Sequence, residues 1–217
     1  MQLLDTPHVL RMVLHYGAVL DDESGVVEVH MHEPPHCVGC LDEEHVGDCE
    51  TLASLLTQAG FPTKYEPNIE ARVWAKAILN AAMSPVCALV NSTIGEVLDS
   101  PARLVVDRLL DEAVEAARLE GITLGEDFKE RAMGVFERGR AHLPSMVEDI
   151  RRGRESEVGQ LNRQIVLHAR TLGAAVPTHE VIDALIETFD WRIYHGAHEP
   201  HGGVGGAQGN VGDEQAA

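Results

Sequence analysis

Apolar and polar positions alternate in several stretches of the first 66 residues, which is the pattern of half-buried β-strands. It predicts strands over residues 9–19, 25–32, 38–41 and 61–65, with a turn at 21–25. Residues 48–59 instead place leucines at helical spacing, and Gly60 stands where a helix commonly ends. The order strand, strand, strand, helix, strand cannot close a full sheet, so we expect a partial α/β unit.

From residue 67 onward the apolar spacing is helical throughout. Helices are predicted over residues 71–91, 94–98, 102–120, 127–140, 155–172 and 178–194. Another begins at Ser145, which forms a capping-box pattern with Glu148. Residues 195–217 are rich in Gly and poor in apolar side chains, which predicts a disordered tail. The chain is therefore predicted to be mostly α, with a partial α/β region over 1–66 and a helical domain over 67–194.

The net charge of the chain argues against some classes of binding partner. The formal net charge is −18, from 17 basic and 35 acidic residues, which argues against binding to nucleic acid or to an anionic membrane surface. We find no apolar run of membrane-spanning length and no basic-then-apolar signal pattern at the N-terminus, so we expect a cytoplasmic protein.

The segment 71–91, ARVWAKAILNAAMSPVCALVN, is predicted to be the central helix. Its polar residues Lys76, Asn80 and Ser84 are four positions apart and share one helical face. The other faces are largely apolar, which indicates a buried helix, and a buried ammonium needs a partner or a cavity. The alternative is a lysine that reaches solvent along its aliphatic stem.

A second polar group lies in LPSMVEDIRRGRESEVGQLN, where Ser145 and Glu157 are the residues of interest. On pattern alone this is a solvated pair of helices with ion pairs four residues apart. Considered together with the polar residues of the central helix, this second polar group suggests a catalytic site. Reduction of a 2-oxo acid needs a cation or an acid at the carbonyl oxygen, and neutral donors for the rest of the substrate. A nearby carboxylate would keep the lysine charged and oriented.

The two segments together resemble the C-terminal domain of the ketopantoate reductase (2-dehydropantoate 2-reductase) family. The family pattern W-x-K-x-x-x-N-x-x-x-N-P is matched from Trp74 to Pro85 except at one position, and N-x-x-x-G-E is present as NSTIGE. The pattern S-M-x-x-D begins at Ser145, and the acidic residue Glu157 follows twelve positions later. The resemblance covers roughly residues 9–191. It implies a helical domain of the 6-phosphogluconate dehydrogenase C-terminal type, preceded by the last part of a Rossmann domain.

The resemblance also implies an activity. It is the reduction of 2-dehydropantoate, or a related 2-oxo acid, to (R)-pantoate with NADPH, on the route to pantothenate and coenzyme A. The implied residues are Lys76 as the proton donor, Asn80, Ser84 and Ser145 for the substrate, and Glu157 and Ala18 for the cofactor.

The sequence departs from the family at the substrate residues and at the cofactor motif. Ser84 stands where the family usually has a second Asn, and Ile94 where some members have another, so we expect that the substrate can be a different 2-oxo acid. No G-x-G-x-x-G turn occurs, and the glycine-rich stretch at 202–209 follows no predicted strand.

The absence of a G-x-G-x-x-G turn from the sequence leads to expectations about the partners of this chain and to an alternative function. We expect a truncated or split family member that binds NADPH weakly or not at all alone. Its partner would be a second copy in a homodimer or a complementary N-terminal-half chain. The alternative function is a non-catalytic helical binding or assembly module that needs a partner chain.

A third feature is HMHEPPHCVGCLDEEHVGDC, residues 30–49, where Cys37 and Cys40 form a C-x-x-C pattern among histidines. The spacing matches zinc ligands only loosely, because a second C-x-x-C is absent. Incidental cysteines in a short strand and turn are the alternative. The sequence leaves both open and assigns no metal to the reaction.

Overall fold

The structure, a computed structural model, describes residues 9–21 and 24–196. Part of the predicted turn at 21–25 and the predicted tail beyond residue 196 lie outside the described residues. The prediction of a mostly helical domain preceded by a small α/β region is confirmed, whereas the proposed domain boundaries stay a prediction.

Two small sheets form the α/β region. In the first sheet the strand order is β1-β4-β5, with β4 antiparallel to β1 and parallel to β5. The second sheet is the antiparallel pair of β2 and β3. The strands are β1 Leu10–Val13, β2 Tyr16–Leu20, β3 Val27–His32, β4 His36–Cys40 and β5 Thr63–Tyr65.

The single strand predicted over residues 9–19 is wrong, because the chain changes sheets at Leu14 and His15. The strand before them pairs with β4 and the strand after them pairs with β3. The linking backbone makes its own hydrogen bonds. The Leu14 carbonyl accepts one from the Lys76 ammonium, and the His15 N–H donates one to Nδ1 of His36 at 3.0 Å.

Eight helices account for most of the described chain. They are α1 Val46–Gln58, α2 Ile69–Val90, α3 Ile94–Asp99, α4 Arg103–Leu119, α5 Phe128–Arg138, α6 Ser145–Arg151, α7 Asn162–Thr171 and α8 Pro177–His195. Short 3-10 turns lie at Glu43–His45 and Val158–Gln160.

Two local predictions in the helical region are wrong. Residues 155–172 do not form one helix, because a 3-10 turn at Val158–Gln160 is separated from α7 by Leu161, whose φ of −111° and ψ of −91° are not helical. Ser145 is the first residue of α6 and makes no side-chain cap. The reciprocal capping box lies instead at α3, between Thr93 and Glu96.

The central helix α2 packs against α3, α4, α6 and α8, and its first turns also border β1 and β4. Nine of its 22 residues are buried. The expectation that no apolar run reaches membrane-spanning length is wrong for this helix, because Ile69–Val90 is long and apolar enough by those criteria alone. Its packing in the core gives its apolar character another explanation.

Candidate active site

A cleft of about 460 Å³ lies where α2 meets β1 and the Val158–Gln160 turn. Its apolar lining consists of Met12, Val13, Leu14, Val73, Ala77 and Leu161, and its polar lining of Lys76, Asn80, Glu157 and Gln160. Three of the six predicted site residues therefore meet in one cleft although they come from two distant segments of the chain.

The helix α2 places Lys76 and Asn80 on the cleft side, one turn apart. Its start is fixed by Asn68, whose side chain accepts a hydrogen bond from the Ala71 N–H at 3.3 Å. The next residue in the row, Ser84, is half-buried one turn further along.

Lys76 is exposed rather than buried, so the expected buried ammonium is wrong. Its Nζ donates a hydrogen bond to the Leu14 carbonyl oxygen at 2.7 Å. The physical reason is that β1 and the Val158–Gln160 turn flank this side of α2 without closing over it. The ammonium thus lies at the mouth of the cleft, held by a backbone oxygen.

The electrostatic surroundings of Lys76 suit proton donation. Desolvation by the surrounding protein lowers the pKa of Lys76 below its ordinary value, while the charge of Glu157 opposes the shift by raising it. A lysine with a lowered pKa gives up its proton more readily, and a neighbouring carboxylate favours the charged resting form.

Ser84, Ser145 and Ala18 lie outside the cleft lining that the described residues define. Ser145 is exposed at the start of α6, which packs against α2, and Ala18 is exposed on β2. Ile94, at the second departure from the family pattern, is buried in the core at the start of α3.

Gln160 was missed by the sequence analysis although its side chain lines the cleft. It lies three residues after Glu157, and its N–H donates a hydrogen bond to the Glu157 carbonyl at 3.0 Å. The tight turn that brings these two side chains to one cleft has no regular hydrophobic period that would have revealed it.

The C-x-x-C pattern does not form a metal site. Cys37 packs beside Val13 and Ile69, whereas Cys40 lies on the opposite face of the sheet with Cys49. Burial and the neighbouring Cys40 raise the pKa of Cys49 to about 11, so this thiol stays protonated near pH 7. Within residues 9–21 and 24–196, no group of three metal-binding side chains comes together.

Histidines from the same stretch form an aromatic stack instead. The ring of His36 is fully buried and stacks on Phe61 at a centroid distance of 4.0 Å, with His32 on the same cluster at 5.4 Å. Burial lowers the pKa of His36, and His32, His15 and Lys76 lower it further. This imidazole therefore stays neutral near pH 7.

Comparison with solved structures finds the same fold in a ketopantoate reductase and in a D-mandelate dehydrogenase. A PanE/ApbA family ketopantoate reductase from Ralstonia eutropha JMP134 matches with a TM-score of 0.76 and 25% identity, over 86% of this chain and 60% of that one. A D-mandelate dehydrogenase, solved with NADH and anilino(oxo)acetate, matches with a TM-score of 0.72 and 22% identity. The matched region covers 82% of this chain and 58% of the D-mandelate dehydrogenase chain. At this identity the match shows similarity of fold and not of activity.

Sequence comparison then gives the family. The family model described as the C-terminal domain of ketopantoate reductase PanE/ApbA matches residues 68–190, more than half of the chain. The 2-dehydropantoate 2-reductase of Archaeoglobus fulgidus is 33% identical over 166 residues, 76% of this chain and 55% of that protein. The one from Aquifex aeolicus is 30% identical over 155 residues, 69% of this chain and 49% of that protein. The chain belongs to the ketopantoate reductase family and spans about half the length of these relatives.

Proposed function

We propose that the chain supplies the substrate-binding and proton-donating part of an NADPH-dependent reductase. Its substrate would be 2-dehydropantoate or a related 2-oxo acid, and its product (R)-pantoate or the corresponding 2-hydroxy acid. The observation that carries this proposal is the shared cleft of Lys76, Asn80 and Glu157.

In this proposal the Lys76 ammonium binds the ketone oxygen in place of the Leu14 carbonyl. When bound, NADPH supplies a hydride to the carbonyl carbon of the substrate. Lys76 stabilises the negative charge that develops on the oxygen and then donates a proton to it, so that a hydroxyl forms and the lysine becomes a neutral amine. Glu157 favours the protonated form of Lys76 before the reaction.

Neutral groups complete the proposed substrate site. The Asn80 amide donates a hydrogen bond to a hydroxyl or carboxylate of the substrate without adding charge. We assign the more remote parts of the substrate to Ser84 and Ser145, and an approach to the cofactor to Ala18 and Glu157. The shorter side chain of Ser84 favours a 2-oxo acid whose shape differs from that of 2-dehydropantoate.

The turn between β4 and α1 does not fit the phosphates of a dinucleotide. The junction between β4 and α1 is one of the strand-to-helix turns that could hold a phosphate, but it carries Asp42, Glu43 and Glu44, which repel anions. We propose that a G-x-G-x-x-G half on another segment or polypeptide binds the phosphates.

A reconstitution assay tests the proposed function. The chain is mixed with a separately produced N-terminal half of the Archaeoglobus fulgidus relative, and NADPH oxidation is followed with 2-dehydropantoate and other 2-oxo acids. The proposal predicts NADPH oxidation only with both halves and a 2-oxo acid, together with formation of the 2-hydroxy acid. Equal rates with ketones that lack a carboxylate would contradict it.

The chain alone provides a second measurement, which does not depend on pairing of the two halves. Addition of 2-dehydropantoate should shift the backbone amide resonances of Lys76, Asn80 and Glu157 in NMR spectra. Unchanged resonances at millimolar substrate would contradict substrate binding in this cleft.

A non-catalytic assembly module is the second candidate, and the β2–β3 hairpin favours it. Val27 and Val29 are 58% and 47% exposed, and Leu20 is 51% exposed. Exposed apolar surface of this kind indicates a contact with another chain, either a second copy or a complementary half. Light scattering that finds a concentration-independent monomer, together with turnover in the assay above, would exclude this candidate.

A further inference from the structure

The Glu157 carboxylate projects from a loop whose neighbouring residues are anchored in the core. Ser156 and Val158 are 7% and 2% exposed, whereas Glu157 between them is exposed and lines the cleft. This loop follows Gly153 and has no regular secondary structure before the Val158–Gln160 turn. Its conformation must therefore be fixed by specific contacts.

Asp190 on α8 makes those contacts. Its Oδ1 accepts a hydrogen bond from the Ser156 N–H at 2.8 Å, and its Oδ2 accepts one from the Ser156 hydroxyl at 2.7 Å. The Ser156 hydroxyl oxygen also accepts a hydrogen bond from the Val158 N–H at 3.3 Å. Hydrogen bonds to an ionised carboxylate are stronger than neutral ones, so this arrangement holds the backbone on both sides of Glu157.

We propose that Asp190, acting through Ser156, is a positioning residue that keeps the Glu157 carboxylate in the cleft lined by Lys76. This inference rests on the proposed function, in which that carboxylate acts on the proton donor. Without the hydrogen bonds between Asp190 and Ser156, which we call the Asp190–Ser156 clamp, the loop regains backbone freedom and the exposed glutamate turns toward water.

The Lys76 ammonium provides the readout. Its neighbours are the carbonyl of Leu14 between β1 and β2, the carboxylate of Glu157, and the neutral ring of His36 on β4. Of these groups, Glu157 is the one whose charge raises the pKa of Lys76, so displacement of Glu157 should lower it. A purely structural role of Asp190 would change the melting temperature without moving this pKa.

The experiment is an NMR pH titration of the full chain with ¹³C-labelled lysine. The chain has only three lysines, Lys64, Lys76 and Lys129, so K64R and K129R variants assign the signals. E157Q defines the full electrostatic effect of the carboxylate. D190N is expected to lower the pKa of Lys76 by at least about half of the E157Q shift, and the double variant to lower it no further than E157Q alone.

Two further variants make the test specific. S156A removes the hydroxyl bond but keeps the N–H bond, so it should give a smaller shift in the same direction, and it serves if D190N does not fold. E187Q is the control variant. It removes the carboxylate of Glu187, which is on the same helix as Asp190 and pairs with Arg163 at 2.6 Å. It should leave the pKa of Lys76 unchanged.

The possible results distinguish a failure of the positioning role of Asp190 from a failure of the proposed function of the cleft. If E157Q lowers the pKa of Lys76 while D190N and S156A do not, the positioning role is overturned and the function of the cleft stands. If E157Q leaves the pKa unchanged, the interaction between Glu157 and Lys76 is overturned, and the clamp with it.

Discussion

Asn162 is fully buried at the start of α7, and its amide repairs a defect in the central helix. Pro85 has no N–H to donate to the Ala81 carbonyl four residues earlier. Nδ2 of Asn162 donates to that carbonyl at 3.0 Å and contacts Nδ1 of His179 at 3.1 Å. A long-range hydrogen bond thus allows a proline inside α2, just beyond the turn that carries Asn80.

Replacement of Asn162 by Ala should lower the free energy of unfolding by about 2–4 kcal/mol, because it leaves the Ala81 carbonyl and Nδ1 of His179 unpaired in the core. Urea denaturation measures this. Q164A, at an exposed side chain, should stay within about 0.5 kcal/mol of the wild type.

A double-mutant cycle with P85A identifies the cause. P85A restores an N–H for the Ala81 carbonyl, so N162A should destabilise the P85A protein less than it destabilises the wild type. Additive effects of the two substitutions would contradict the repair of Pro85 by Asn162.

Single residues also show how far the sequence is informative. The four-residue spacing correctly placed Lys76 and Asn80 together, and the twelve-residue offset from Ser145 led to Glu157. The sequence left the exposure of Lys76 open between a buried ammonium and one that reaches solvent, because a hydrophobic pattern shows what a helix can bury but not which neighbours cover it. The roles assigned to all six site residues, Lys76, Asn80, Ser84, Ser145, Glu157 and Ala18, remain predictions.

At the scale of elements, β4 approaches α2 closely because position 39 has no side chain. A Cβ added to Gly39 would lie 2.5 Å from the Glu66 carbonyl oxygen and 2.5 Å from Cβ of Ile69. The start of α2, and through it the register of Lys76 against β1, depends on this contact.

G39A should therefore destabilise the protein by about 1–3 kcal/mol, because backbone and helix must move apart to admit the methyl group. Thermal unfolding followed by circular dichroism measures the change. G47A is the matched control, because a Cβ there meets nothing within 4 Å and Ala favours the helix. Equal stability of G39A and G47A would show that the close approach is unimportant.

His179 gives the helices a pH-dependent contact. Its ring donates to the Leu109 carbonyl at 3.0 Å through Nε2, which leaves Nδ1 to accept from Asn162. Burial lowers the pKa of His179 below the ordinary 6.5, an effect that the Leu109 carbonyl and Glu112 partly oppose. Below pH 6.5 the unfolded chain therefore binds a proton that the folded chain excludes.

The free energy of unfolding should be independent of this group above about pH 7 and should fall as the pH decreases from 6.5 toward 5. Urea denaturation at several pH values measures the slope. H179Q should give a shallower slope over this interval, and His36, whose pKa is also lowered, contributes to the slope that remains. An unchanged slope in H179Q would contradict the neutral buried ring.

Elements were predictable where the pattern is local. The amphipathic helices and the end of α1 near Gly60 follow from spacing and turn chemistry. The break between β1 and β2 does not, because it arises from a change of partner strand and not from the residues at the break. Likewise Ser145 and Glu148 match a capping box, but Pro144 takes the cap position.

For the whole molecule, the family resemblance predicted the fold class in more detail than the hydrophobic patterns did. The parallel pairing of β4 with β5 across α1 is non-local, and no sequence period encodes it. The hairpin of β2 and β3 exposes apolar residues that composition alone would not locate.

Charge at this scale leads to a prediction about the cofactor. With a net charge of −18, an acidic β4–α1 turn and no G-x-G-x-x-G motif in the sequence, the chain alone should bind NADPH weakly or not at all. Isothermal titration calorimetry tests this, with the Archaeoglobus fulgidus relative as the positive control. A dissociation constant in the low micromolar range for the chain alone would contradict the expectation.

The central claim is that Lys76 donates the proton, and the turnover number of K76A in the reconstituted reductase tests it most directly. General acid catalysis contributes about 10²–10⁴-fold, so K76A should lose at least about 100-fold in kcat. K129A, which removes an exposed lysine paired with Asp111, should stay within about twofold of the wild type. A K76A enzyme that keeps kcat within about tenfold of the wild type would contradict the role of Lys76.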